Sequence, residues 1–186
     1  LTYKSNNSLK HLETRLIPNH LKKKFSANIS VHYKFGKCSY KAKVKQLGDM
    51  KDHILLSNGE PVRSLNVKLK DGNIFNATEF NLLIPETRNN LQEILGIILL
   101  RAYKFIAPET FQVKASVNGV NSVFLFQEST SKELIERSGR REAPIIKGDE
   151  DFFYSNPDYR TLILSKLVNK NWFQKGESSI NISLRA

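Results

Sequence analysis

Apolar and polar residues alternate through two neighbouring segments near the start of the chain. Every second position is apolar, at Ile29, Val31, Tyr33 and Phe35 in the first segment and at Cys38, Tyr40, Ala42 and Val44 in the second. Gly36-Lys37 lies between the segments and can turn the chain. Because side chains on a strand alternate between two faces, the pattern predicts a hairpin with one apolar face and one basic face.

A second set of strands is predicted further along, followed by a helix. Alternation continues through Arg63–Lys70 and Phe80–Ile84, and Asp71-Gly72 between them is a tight-turn signal. The period then becomes helical, with apolar residues nearly all round at Leu91, Ile94, Leu95, Ile97, Ile98, Leu99 and Leu100. A helix of that composition is typically buried on several sides, so we expect a buried helix that ends near Pro108.

The last third of the chain predicts a hairpin and two helices. Asn118-Gly119 joins the strands Thr110–Val117 and Val123–Glu128. A capping box at Thr130 and Glu133 predicts a short helix that ends at Gly139. Apolar spacing in Tyr159–Phe173 predicts another helix.

Runs of strands interrupted by one helix favour an α+β fold over a doubly wound α/β sheet. The same order of elements occurs in the small lobe of protein kinases, so we expect an antiparallel sheet with one buried helix, followed by helices of an incomplete second lobe. The expected divisions are a basic N-terminal segment at 1–26, a kinase-like small lobe with its connector at 27–139, and a linker with the truncated start of a second lobe at 140–186. Since the chain opens with Leu1 rather than Met, we expect a fragment.

Composition narrows the class of protein and places its charge. The chain has 186 residues and a net charge of +11, and residues 1–50 hold 11 Lys and Arg against 2 Asp and Glu. One cysteine excludes an internal disulfide framework and a Cys-rich zinc site. The most apolar stretch, Ile94–Leu100, is too short to span a bilayer. The basic end favours an anionic partner or a solvated basic face, and composition alone leaves both open.

The region 27–151 carries an ordered series of short motifs that resembles the CotH family of spore-coat-type atypical protein kinases, and its bacterial branch most closely. The motifs are Ala42-Lys43-Val44-Lys45-Gln46-Leu47-Gly48-Asp49 with Asp52-His53, Ser64-Leu65-Asn66-Val67-Lys68-Leu69, Phe80-Asn81-Leu82, Pro85-Glu86-Thr87-Arg88, Asn118-Gly119, Phe126-Gln127-Glu128, Arg140-Arg141-Glu142-Ala143-Pro144-Ile145 and Gly148-Asp149-Glu150. The resemblance implies an ATP-binding lobe with Mg²⁺ as a further cofactor, and phosphoryl transfer to a protein.

Three residues of this lobe are candidates for holding nucleotide phosphate. The expected roles are Lys45 holding phosphate, Glu93 orienting that lysine, and Arg88 meeting phosphate near the start of the helix. Each of these residues also has a structural alternative. Lys45 can be one of several lysines on a solvent-exposed strand face, Glu93 can complete a capping box, and Arg88 can neutralise the charge of Glu86.

Two more candidates end the last strand of the lobe, where a connector would meet the nucleotide base. Backbone groups at Gln127 and Glu128 can pair with an adenine edge, while their side chains can also simply face solvent. The set of cofactor-binding candidates is therefore Lys45, Glu93, Arg88, Gln127 and Glu128, with no catalytic and no metal-binding residue named.

The chain departs from the family in two ways. The family pattern is Arg-x-Lys-Gly-Asp on the second strand, and Leu47 stands here where the family has its lysine. The family's metal-binding and catalytic acidic residues belong to the second lobe, and 152–186 has no counterpart of them. We therefore expect a catalytically incomplete chain, which also leaves room for a degenerate kinase-like scaffold.

An alternative function follows from charge rather than resemblance. The basic first third would bind nucleic acid or another anionic polymer through the region Lys22–Lys45, without catalysis. Because the lysines are predicted on the face opposite the apolar residues, aromatic stacking beside them is not expected.

Overall fold

The computed structural model describes residues 22–48, 51–57, 59–148 and 165–169. The strands are β1 (Phe25–Tyr33), β2 (Gly36–Gln46), β3 (Ile54–Ser57), β4 (Glu60–Arg63), β5 (Leu65–Leu69), β6 (Glu79–Leu83), β7 (Thr110–Val117), β8 (Val120–Glu128), β9 (Ile146–Gly148) and β10 (Ser165–Leu167). The helices are α1 (Leu91–Ala102) and α2 (Lys132–Arg137), with 3₁₀ turns at Lys51–His53 and Pro85–Arg88. The described chain is therefore mostly β.

Six strands form one antiparallel sheet in the order β1-β2-β5-β6-β8-β7, curled into a half-barrel. Residues directly opposite each other in neighbouring strands point to the same face, so the pairing register assigns each side chain to a face. The face that carries Val44, Val67, Phe80 and Phe126 is called the apolar face. The face that carries Lys45 is called the polar face.

The apolar face holds the main core. Phe126 is 2% exposed and stacks on Phe80 and Phe111, with ring centroids 4.7 and 4.9 Å apart. Phe75 meets Phe111 and Phe126 edge-on. Aliphatic and small residues complete this cluster: Ala42, Val67, Leu69, Ile74 and Ala77. The predicted alternation therefore holds where Ile29, Val31, Tyr40, Ala42 and Val44 pack in one core. It fails near the hairpin turn, where Phe35 and Cys38 are exposed.

The long helix α1 departs from the sequence-based expectation. Among its residues only Ile97 is buried, and Leu91, Leu95 and Ile98 are each more than half exposed. The prediction of a helix buried on several sides is therefore wrong for the described chain. Its apolar composition permits burial, but whether it is covered depends on neighbouring elements that the helix pattern does not specify.

Residues Leu1–Ser129 form one compact unit and Thr130–Ala186 a second. In the second unit, α2 confirms the predicted short helix, and Gly139 follows it in the left-handed region at φ +70°. The predicted helix at Tyr159–Phe173 is wrong at 165–167, which pair as β10 with β9. The described residues contain no second helical lobe. At 165–167 local helical spacing yields to strand pairing.

Turn residues fix several connections. Asn118 and Gly119 have φ of 55° and 88°, as the tight hairpin turn between β7 and β8 requires. Gly48 follows β2 at φ +91°, and a Cβ there would collide with the His53 ring. The β3–β4 hairpin was not predicted, because its strands have four residues each and little alternation.

The helical spacing of Leu9, Leu12 and Leu16 predicts a short helix before Pro18, and these residues lie outside the described ranges. Within the described ranges, no helix has the length and hydropathy needed to cross a bilayer.

Candidate functional site

One line of polar residues crosses the polar face from β2 to β7. In register order it contains Lys45, Asn66, Asn81, Gln127 and Thr110, each directly opposite the next. We call this line the polar row. Its members lie on β2, β5, β6, β8 and β7, so five strands place them side by side although they are far apart in sequence.

The middle of the polar row is held by side-chain hydrogen bonds. Asn66 is 8% exposed, and its Nδ2 donates to Asn81 Oδ1 at 3.0 Å and to Glu79 Oε1 at 3.2 Å. Glu79 also bridges Lys68, with Nζ and Oε2 3.2 Å apart. Because both Nδ2 hydrogens are used, the orientation of the Asn66 amide is fixed.

The helix α1 is tied to the polar row through Glu93. Gln127 Nε2 donates a hydrogen bond of 2.6 Å to Glu93 Oε1. The two residues are 34 positions apart in the sequence, so this contact docks the first turn of α1 on β8. Asn90 precedes the helix and makes no side-chain capping hydrogen bond, so Glu93 serves as an anchor to the sheet.

Lys45 begins the polar row, and Gln127 is its fourth member. Three strand spacings separate the two residues, which corresponds to about 14 Å along the sheet. In the described part of the chain, no ion pair joins Lys45 to Glu93 or to any other carboxylate. The expected lysine–glutamate pair is therefore not formed here, and the Lys45 ammonium has no carboxylate partner within these ranges.

Arg88 and Glu93 line an open groove of about 400 Å³ beside α1. The groove also includes Thr87, Gln92, Gly96 and Ile97. Arg88 is exposed at the end of the 3₁₀ turn, and no described ion pair joins it to Glu86. Arg88 can therefore meet an anion at the start of α1, as the sequence suggested, but Lys45 does not line the same groove.

Glu128 points to the opposite face from the polar row. It pairs with Phe80 in register and is 2% exposed. Its Oε2 accepts a hydrogen bond of 3.1 Å from the backbone N–H of Glu109. Strand alternation puts consecutive residues on opposite faces, so Gln127 and Glu128 cannot both direct side chains into one site.

The backbone at the end of β8 is already engaged by the sheet. The Glu128 N–H donates to the Glu109 carbonyl at 2.8 Å, and the Ser129 N–H donates to the Glu79 carbonyl at 2.9 Å. An adenine edge would have to use other backbone groups of this segment, since these two donors are occupied.

Two residues that the sequence reasoning missed organise this region. Asn66 lies beside Lys45 in the polar row, and the alternation Leu65-Asn66-Val67 would have placed it there had the strand order been known. Arg101 closes the other end of α1: its Nη2 donates to the Pro108 carbonyl at 2.9 Å and lies 3.0 Å from Glu109 Oε1.

The described residues contain no cluster of three or more His, Cys, Asp or Glu side chains suited to a metal ion. Asp49, Asp149 and Glu150 lie outside the described ranges. The polar face therefore supplies amides, a lysine and a helix-borne carboxylate rather than a metal-binding set.

Comparison with known proteins returned neither a family model nor a curated protein that matches this chain. The resemblance to CotH kinases therefore rests on the motif series and on the order of elements.

Proposed function

We propose that the chain is the nucleotide-binding portion of a CotH-like atypical kinase that transfers phosphate from ATP to a protein. The observation that carries the proposal is the polar row, which presents Lys45 and four amide-bearing or hydroxyl-bearing strands on the face to which Glu93 anchors a helix. A sheet with a lysine on one strand and a glutamate on the following helix is also the arrangement by which kinases hold ATP.

Lys45 supplies positive charge for the nucleotide phosphates. Its ammonium has no carboxylate partner among the described residues, so no ion pair within these ranges has to break when phosphate binds. A hydrogen bond between charged groups contributes more than a neutral one, about 1.5–3 kcal/mol.

Mg²⁺ would arrive with the nucleotide. In phosphoryl-transfer sites this ion is commonly held by substrate phosphates together with one or two carboxylates. The described residues offer no cluster for it, so a resident Mg²⁺ site does not fit this part of the chain. The role assigned to these residues is to bind and orient nucleotide.

Titration calorimetry with Mg-ATP tests the proposal. We expect binding in the millimolar range or tighter, and a Lys45→Gln variant should bind about tenfold more weakly because one charge-assisted contact is lost. Lys114→Gln is the matched control: Lys114 is exposed on β7 and points to the same face, but it lies at the far edge of the sheet from Lys45.

Absence of heat from the wild-type chain at millimolar Mg-ATP would reject the proposal. An equal loss in Lys45→Gln and Lys114→Gln would also count against it, since a general charge effect would then explain the binding. Circular dichroism of each variant separates a lost contact from a lost fold.

A degenerate scaffold is a second candidate, favoured by Leu47. Its backbone N–H continues the sheet by donating to the Ser64 carbonyl at 2.9 Å, so residue 47 follows Lys45 on the polar side. Leu47→Lys would restore the lysine of the family pattern. We expect tighter Mg-ATP binding in this variant if the pocket is otherwise intact, and unchanged binding would count against a site at this end of β2.

A further inference from the structure

The segment that contains the β1–β2 hairpin carries positive charge and no acidic residue of its own. Residues 22–46 contain eight lysines and no Asp or Glu. A solvated surface normally mixes both signs, so a block of one sign this long creates a field that attracts anions. Four of these lysines, Lys37, Lys41, Lys43 and Lys45, belong to a single strand.

The pairing register puts these lysines on one face with hydroxyl and amide neighbours. Lys43 is opposite Ser26, and Lys41 is opposite Asn28. Ser30 and Ser39 confirm that paired residues share this face, because their hydroxyl oxygens lie 3.5 Å apart. We call the set the basic strip: Lys37, Ser39, Lys41 and Lys43 on β2, with Ser26, Asn28 and Ser30 on β1.

The basic strip is exposed and has no acidic partner in the described ranges. All seven of its side chains are exposed. The nearest carboxylate in register is that of Glu79, two strands away, and it is occupied by Lys68 at 3.2 Å and Asn66 at 3.2 Å. The charge of the strip is therefore available to an external anion.

We propose that the basic strip binds a linear phosphate polymer through its phosphate groups alone. From Lys37 to Lys43 the strand extends about 20 Å at roughly 3.4 Å per residue, so the charges form a line rather than a patch. Lysine offers a hydrated point charge, and serine hydroxyls and the Asn28 amide can donate to phosphate oxygens between the lysines.

The positions of the aromatic residues favour a phosphate polymer that carries no bases. Proteins that bind single-stranded nucleic acid combine charge with aromatic stacking platforms. The aromatic residues of the two strands, Phe25, Tyr33 and Tyr40, occupy the other face, in register with Ile29, Val31 and their neighbours. On the face of the basic strip, β1 and β2 carry one ring, the exposed imidazole of His32 opposite Lys37. Bases would therefore find no series of rings to stack on, whereas a chain of phosphates needs none. Inorganic polyphosphate is therefore the occupant that fits.

Calorimetric titration with linear inorganic polyphosphate, repeated at several salt concentrations, tests the inference. We expect the double variant K41Q/K43Q to bind about tenfold more weakly than wild type. The slope of log affinity against log salt should fall in magnitude by about 1.4, since each lost phosphate contact removes roughly 0.7. The matched control is K114Q/K132Q, which removes the same charge from exposed lysines outside the strip.

Three outcomes would overturn the inference. They are no binding of polyphosphate at low salt, equal weakening in K41Q/K43Q and K114Q/K132Q, and tighter binding of poly(dT) than of polyphosphate at equal phosphate concentration. Mg-ATP is titrated in parallel. Lys45 continues the same strand and face, but K41Q/K43Q leaves it intact. The variant should therefore keep ATP affinity within about twofold, below the 1.4 kcal/mol of a tenfold change, so failure here is distinguishable from failure of the nucleotide proposal.

Discussion

The two faces of the six-stranded sheet are built from the same strands but organised by different forces. On the apolar face, Phe80, Phe111 and Phe126 stack on one another and exclude water. On the polar face, Asn66 is fixed by directional hydrogen bonds to Asn81 and Glu79. Packing is spread over many weak contacts, whereas a hydrogen bond depends on two atoms. We therefore expect the exposed positions of the polar face to tolerate change. Leu83 and Leu125 lie on that face but are 0% exposed, so they should tolerate change as little as the core of the apolar face does.

Phe126→Ala should have the largest effect, because it removes the ring at the centre of the stack. Truncation of a buried phenylalanine costs about 3–5 kcal/mol of the free energy of unfolding. Urea denaturation measures the change. Phe35→Ala is the control, since its ring is 92% exposed and its loss should cost less than about 0.5 kcal/mol. A loss below about 1 kcal/mol for Phe126→Ala would contradict the assigned core.

Asn66→Ala tests the polar face. The substitution removes the donor shared by Asn81 and Glu79, and we expect a loss of about 1–2 kcal/mol in urea denaturation. Asn28→Ala is the matched control, because Asn28 is exposed on the edge strand β1. Equal effects of the two variants would mean that the polar row does not act as a connected network.

Replacing a buried amide on the apolar face should raise stability rather than lower it. Gln46 is 5% exposed, and within the described residues neither its Nε2 nor its Oε1 has a hydrogen-bond partner. Gln46→Met keeps the length of the side chain and removes that desolvated amide, so we expect the free energy of unfolding to rise by about 1 kcal/mol. Gln112→Met on exposed β7 is the control, and a destabilised Gln46→Met would show that the amide is satisfied.

The smallest expected effect is a pH dependence at the open end of the apolar face. Hydrogen bonding with Tyr33 raises the pKa of Tyr40 to about 12 from its ordinary 10.0. The folded state thus favours the neutral phenol, so this contribution to stability is complete below pH 10 and is lost as pH rises through about 12.

Tyrosinate absorbance during an alkaline titration measures this shift. Tyr33→Phe should shift the ionisation of Tyr40 from about pH 12 toward its ordinary pKa of 10.0. Tyr40→Phe should remove the ionisation near pH 12 altogether. If an ionisation near pH 12 remained in Tyr40→Phe, it would have to belong to another tyrosine.

Local patterns were sufficient for much of the sheet but not for the candidate site. Alternation predicted β1, β2, β5, β6, β7 and β8, and Asn118-Gly119 marked its hairpin. The same alternation could not reveal that Asn66, Asn81 and Gln127 share one row, because strand order depends on pairing between distant segments.

The site residues show the same limit. Glu93 was predicted to orient Lys45 or to complete a capping box, and it instead accepts a hydrogen bond from Gln127. Gln127 and Glu128 were grouped because they are adjacent in sequence, although adjacency within a strand puts them on opposite faces. Helical spacing at Tyr159–Phe173 was overridden at 165–167 by pairing with β9.

The sequence by itself determined the two-faced strands, the turn positions and the uncompensated charge of 22–46, since each follows from residue types at short separation. Only the tertiary structure decided which polar residues meet, that α1 exposes much of its apolar surface, and that the basic strip forms a single line. These features depend on contacts between residues far apart in the chain, and such contacts are selected by the packing of the whole sheet.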